Sequence, residues 1–141
     1  MSSLAILLHA HLPYVRHPEH EEFYEEDWFF EGITETYLPL LDVLGRLADD
    51  GPGVVVTLSL SPTLGEMMRD ELLLRRYDRY LERVLRLAQR EGERRGGDAR
   101  FSEVSRFYAE RLGRLHGDWH GRWKRDLLGA FRGLAERGVL E

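Results

Sequence analysis

The chain has 141 residues, 43% of them hydrophobic and 32% charged, with a formal net charge of −5 and no cysteine. That length and balance suit a soluble globular protein able to bury a core, not a disordered one. The missing cysteines exclude disulfides, thiolate zinc sites and cysteine nucleophiles, and they agree with a cytoplasmic location.

The acids are concentrated at the start. Residues 1–51 carry eleven Asp and Glu against two Arg, and residues 52–141 carry fourteen acids against eighteen bases. The bases of the second part alternate with Asp and Glu along helical repeats, which is not a nucleic-acid footprint.

In chain order, Leu4 to His11 is a nearly continuous apolar run bounded by Pro13, which predicts a strand buried on both faces. Alternate residues of a strand share a face, so His9 and His11 at its end project together. The run is too short to span a membrane, and it lacks the basic segment and cleavage site of a signal peptide. Residues 15–27 read as a solvated acidic loop, with Glu19, Glu21, Glu22, Glu25, Glu26 and Asp27 in no calcium-loop spacing. From Trp28 to about Asp50 an amphipathic helix is expected, kinked or split at Pro39. Its Glu31 and Glu35, one turn apart, read as a solvent-facing pair.

Asp49-Asp50-Gly51-Pro52-Gly53 is a strong break. Val54 to Leu60 is β-branched and reads as a second buried strand. Ser61-Pro62 opens a helix, with Thr63 and Glu66 as an alternative capping box. Apolar residues from Leu64 onward recur at helical spacing to about Arg95, and Gly96-Gly97 ends that helix. A last helical region runs from about Ser102 to Arg137, punctuated by Gly113, Gly117 and Gly121. Gly138 stops it, and Val139-Leu140 has the character of another strand beginning.

The order is therefore β-α-β-α-α, a helix-rich α/β arrangement. Two strands joined by a helix should be parallel with a right-handed crossover. A two-stranded parallel sheet is unfinished by itself, so the chain reads as the opening section of a longer (β/α) domain.

His9 and His11 admit several readings. Catalytic residues of (β/α) barrels sit at the C-terminal ends of strands. An HxH pair there can also hold a divalent metal, as in amidohydrolase-type barrels, with further ligands from later strands. Or both are hydrogen-bonded edge residues without chemistry. His116 and His120 share a helix face at i, i+4 and could form a metal clip. Trp119 and Trp123 have the same spacing, and an apolar stripe is the simpler account of that segment. No glycine-rich phosphate loop, serine elbow or Cys/His dyad is present.

The stretch Leu8-His9-Ala10-His11-Leu12-Pro13-Tyr14-Val15-Arg16 resembles the first sequence motif of glycoside hydrolase family 57, and within it the 1,4-α-glucan branching enzymes. Glu26-Asp27-Trp28-Phe29-Phe30-Glu31-Gly32-Ile33-Thr34-Glu35-Thr36-Tyr37-Leu38-Pro39-Leu40-Leu41 is similar to a second. Thr57-Leu58-Ser59-Leu60-Ser61-Pro62-Thr63-Leu64 is similar to a third. The three follow the family's order over roughly the first 70 residues, and the helical remainder fits the insertion before the family's third strand. The loop from His17 to Tyr24 departs from the family in being more acidic.

This resemblance implies that residues 1–141 are the N-terminal part of an incomplete (β/α)7 TIM-like barrel with retaining chemistry on α-glucans. Such enzymes cleave an α-1,4 bond, hold the glucan on a carboxylate and pass it to a 6-hydroxyl. The chemistry needs two carboxylates about 5–5.5 Å apart. The resemblance places both beyond Glu141, so it assigns no catalytic residue here and implies an inactive fragment. It makes His9 a hydrogen-bonding partner of the donor sugar and His11 its neighbour. Trp28 becomes a stacking surface beside the cleft, and Tyr14 a further contact. It implies no metal and no cofactor, and an amylose or glycogen-like partner, not nucleic acid or membrane. A metal-dependent amidohydrolase-like barrel using His9 and His11, and a stand-alone interaction module, are the alternatives.

Overall fold

The computed structural model describes residues 5–51, 53–94 and 99–141. Leu4, Pro52, Arg95 and the Gly96-Gly97 helix stop, which figure in the sequence reading, lie outside the described residues.

Strand β1 (Leu7–Ala10) pairs in parallel with β2 (Thr57–Leu60), with Leu7 opposite Thr57 and His9 opposite Ser59. The other edge of β2 is taken by the chain's last residues. Val56 N–H donates to the Val139 carbonyl at 3.0 Å, Leu58 N–H to that of Glu141 at 2.8 Å, and Thr57 N–H turns the other way to Ile6 at 3.1 Å. Sending alternate amides to two neighbours is the behaviour of a central strand. The strand onset expected at Val139-Leu140 is present as a parallel bridge between Val56 and Leu140.

Burial on both faces does not hold. Leu8 and Ala10 lie on the better covered face, whereas Leu7 is 71% exposed and His9 and His11 are open to solvent. Val54 and Val55 precede β2 instead of forming it, and both are exposed. Leu7, His9 and Ser59 leave one face of the sheet open, whereas parallel strands need cover on both.

The chain is helical without a gap from Tyr24 to Asp49: α1 (Tyr24–Glu31), a π-helical stretch (Gly32–Tyr37) and α2 (Leu38–Asp49). The expected start at Trp28 is four residues late. Pro39 neither ends nor divides the segment. Just ahead of it the hydrogen bonding widens, Leu38 N–H reaching Ile33 five residues back. The wider turns absorb the missing proline donor. Phe29, Ile33, Tyr37, Leu41 and Leu44 form one buried face at helical spacing, while Glu31 and Glu35 face outward as expected. α2 packs on α6 (Leu127–Glu136), which contributes Leu127, Phe131 and Leu134, and Arg137 meets Asp49 at 2.6 Å near their ends.

The single helix expected from 64 to 95 is two. Ser61 caps α3 (Pro62–Met67) by accepting Leu64 N–H at 3.4 Å, with Pro62 at the first position. The chain then breaks at Asp70 and resumes as α4 (Glu71–Glu93). The Asp70 carboxylate accepts the N–H groups of Leu72 and Leu73 at 2.9 and 3.0 Å, so it competes with the helix backbone and starts a new one.

The region 102–137 is also two helices. α5 (Ala99–His120) runs through Gly113 and Gly117, and the break falls at Gly121–Asp126. There Lys124 and Arg125 adopt φ of 50° and 62°, left-handed values that end a helix. Asp126 caps α6 on Gly129 N–H at 2.8 Å, and Gly138, at φ 75°, terminates the turn after it.

Contacts divide the chain into two units, one running to Leu73 and resuming at Asp126–Glu141, the other Leu74–Arg125. The first holds the strands, α1–α3 and α6. In the second, α4 and α5 run antiparallel. A side chain at Gly92 would meet the Ser105–Arg106 backbone, and at the opposite end Tyr77 meets Trp119 edge-to-face at 5.0 Å.

Asp70 both starts α4 and holds Arg16 at 2.6 Å. Asp70→Ala should therefore lower unfolding free energy by about 2 kcal/mol, cap and charged hydrogen bond together. Arg16→Ala should lower it by less than about 1 kcal/mol. Urea unfolding of both variants checks the ranking, and equal losses would show that the cap contributes little.

Candidate functional site

His9 lies in β1 and His11 directly follows its last residue, and continued alternation leaves both open to solvent. Their rings lie 5.9 Å apart and within 8° of parallel. His9 Nδ1 is 3.2 Å from the hydroxyl of Ser59, its register partner on β2. Residues following β2 brace the backbone beyond. Ser61 N–H donates to Ala10 at 3.0 Å, and the Thr63 hydroxyl donates to Leu12 at 3.3 Å.

The other two sugar-site candidates stand apart. Tyr14 is 57% exposed in the segment after β1, and Trp28 is 54% exposed on α1. Among the described residues neither ring touches the histidine pair. The structure thus joins His9 to His11 and leaves two open aromatic surfaces separate from them.

After Tyr14 the chain is fastened residue by residue. Val15 is buried and its N–H donates to Met67 Sδ at 3.4 Å. Arg16 pairs with Asp70, and His17 N–H donates to the buried Glu26 carboxylate at 3.1 Å. The loop that follows is not merely solvated. His17 Nδ1 lies 3.2 Å from Glu19 and Nε2 3.1 Å from Glu25, while the ring rests on Phe23 at 3.8 Å. His20 stacks on the same Phe23 at 5.0 Å. Loss of water around the His17 ring opposes its protonation, but hydrogen bonds and charge from Glu19 and Glu25 outweigh it and raise the pKa. Glu19 is held below its usual value by a backbone hydrogen bond and then by His17. The acids of this loop have a local counter-ion, which no sequence spacing announced.

In the second unit, the His116 and His120 rings meet edge-to-face at 4.7 Å. Trp119 between them is fully buried and donates its Nε1–H to Asp78 at 2.8 Å, and the same carboxylate lies 3.0 Å from Arg125. Trp119 is core, as its spacing suggested. Trp123 is not its buried partner; it is half-buried, with the Arg122 guanidinium over its ring at 4.2 Å. Among the described residues no group of three or more His, Asp or Glu is placed to hold a metal ion. Sequence reasoning passed over Ser59 and Asp78, whose partners lie 50 and 41 residues away.

A short parallel pair of strands set among helices, with His9 exposed on the first strand, is a helix-rich α/β fold. Residues 5–141 match glycosyl hydrolase family 57, and the chain belongs to that family. It is 33% identical over 139 residues to a 1,4-alpha-glucan branching enzyme of Thermococcus kodakarensis, covering 98% of this chain and 20% of that protein. It superposes on the crystal structure of the alpha-amylase AmyC of Thermotoga maritima with a TM-score of 0.86 and 37% identity, over 97% of this chain and 26% of that one. On the family 57 branching enzyme of Pyrococcus horikoshii the TM-score is 0.87 with 32% identity, over 97% and 25%. The chain spans about a fifth of the curated relative and about a quarter of the solved structures. Family membership also decides against the amidohydrolase-type reading of His9 and His11.

The His17 loop carries a pH signature. Its raised pKa makes the His17 contribution complete below the ordinary 6.5 and lost as pH rises through the elevated value. The lowered Glu19 makes its contribution complete above the ordinary 4.5 and lost as pH falls through the depressed value. Amide-exchange protection at His17, whose N–H is bonded to Glu26, should be greatest between pH 4.5 and 6.5. A His17 titration midpoint in NMR at or below 6.5 contradicts this.

Proposed function

We propose that this chain is the N-terminal part of a retaining α-glucan-active enzyme, a 1,4-α-glucan branching enzyme, and supplies one wall of its sugar site. The observation that carries this is the match to a branching enzyme across 98% of the chain. The open sheet face supports it, since Leu7, His9 and His11 point where the remaining strands of a (β/α)7 barrel would close.

In this reading His9 and His11 offer ring nitrogens to hydroxyls of the donor sugar, and Trp28 and Tyr14 offer flat apolar surfaces to its ring faces. The nucleophile and the acid/base come from strands following these 141 residues. One carboxylate attacks the anomeric carbon while the other protonates the departing 4-oxygen. The second then takes the proton of an incoming 6-hydroxyl as the sugar is transferred. Similarity to a solved alpha-amylase favours a second reading, in which water replaces the 6-hydroxyl.

The gene product containing this chain, incubated with amylose, should form α-1,6 branches, seen as new chains released by a debranching enzyme. The isolated 141 residues should form none. In the full gene product His9→Ala should reduce kcat/KM about 10- to 100-fold. Reducing ends without branches would select hydrolysis, and an unaltered kcat/KM in His9→Ala would remove the histidine from the site.

A further inference from the structure

We infer that Ser59 is a positioning residue that sets the orientation of the His9 ring, so that Nε2 alone is presented to the sugar. The inference rests on the proposed sugar-binding role of His9 and adds a residue to it. A neutral imidazole has one donor and one acceptor nitrogen, and a hydroxyl serves either. Ser59 Oγ, 3.2 Å from Nδ1, therefore occupies that nitrogen in either tautomer. The contact is built by the fold, because parallel pairing sets Ser59 directly opposite His9 on the same face. The parallel His11 ring, 5.9 Å away, limits how far the His9 ring turns. With Nδ1 engaged and the ring plane restrained, Nε2 is the nitrogen left to meet substrate, the arrangement by which a second group orients a functional histidine.

Ser59 is exposed and adds nothing to the apolar core. Removing its hydroxyl leaves the strand in place and releases the ring. A purely structural serine would affect melting; a positioning serine affects His9.

The test uses the full gene product. Ser59→Ala should lower kcat on amylose about 5- to 20-fold with KM and Tm nearly unchanged, and Ser59→Thr should restore most of it. Nitrogen-15 NMR should show the His9 Nδ1 resonance shift in Ser59→Ala, as that nitrogen loses its hydroxyl partner. In a His9→Ala background Ser59→Ala should cause no further loss, because its effect passes through the ring. An additive loss, or an unchanged Nδ1 resonance with unchanged kcat, overturns the role of Ser59 while an impaired His9→Ala keeps the sugar-site reading. A fully active His9→Ala overturns both.

Discussion

The register of β1 against β2 is the constraint on which the site depends. In a parallel pair, a slip of one residue sends every side chain to the opposite face. With Leu7 set against Thr57, His9 and Ser59 share the open face, while Leu8 and Ala10 share the other with Leu58 and Leu60. β2 holds this register because both edges are engaged. Thr57 is bonded to Ile6, and Val56 and Leu58 to Val139 and Glu141. The closing residues of the chain therefore help to fix where its opening residues point.

The segment leaving β1 is fixed by three consecutive residues gripping three different places. Val15 is tied to α3, Arg16 to the cap of α4, and His17 to α1. The polypeptide between Leu12 and His17 is thus anchored on elements that are themselves well packed. A sugar site gains from such rigid walls, because a hydrogen bond that must first be ordered loses part of its value in binding. The same logic explains the break at Asp70, where one carboxylate starts α4 and takes Arg16.

Similar solved structures include both an alpha-amylase and a branching enzyme, at TM-scores of 0.86 and 0.87. One scaffold therefore accompanies two outcomes for the same type of bond. Function resides in sites placed on folds. The helical unit Leu74–Arg125 has its own organising group in Asp78, which holds Trp119 and Arg125. Its histidines are accounted for by that packing.

Much was determined by sequence alone. Alternation put His9 and His11 on one side, a strand ending at Leu60 was legible although its valines proved to lie ahead of β2, Ser61-Pro62 opened α3, and the Leu8–Arg16 motif pointed to the family. These are local signals: side-chain period, backbone propensity and motif order act within a few residues. Tertiary structure decided what depends on distant partners. Pro39 did not divide the helix but follows a π-helical stretch, and the segment is held by its buried face from Phe29 to Leu44. Asp70 divided one expected helix because its carboxylate was drawn to both Arg16 and the α4 amides. The acidic loop acquired order from His17, and His9 acquired Ser59 across a separation of 50 residues. Period and propensity report which way a side chain faces; only the folded chain brings it the partner that gives it a task.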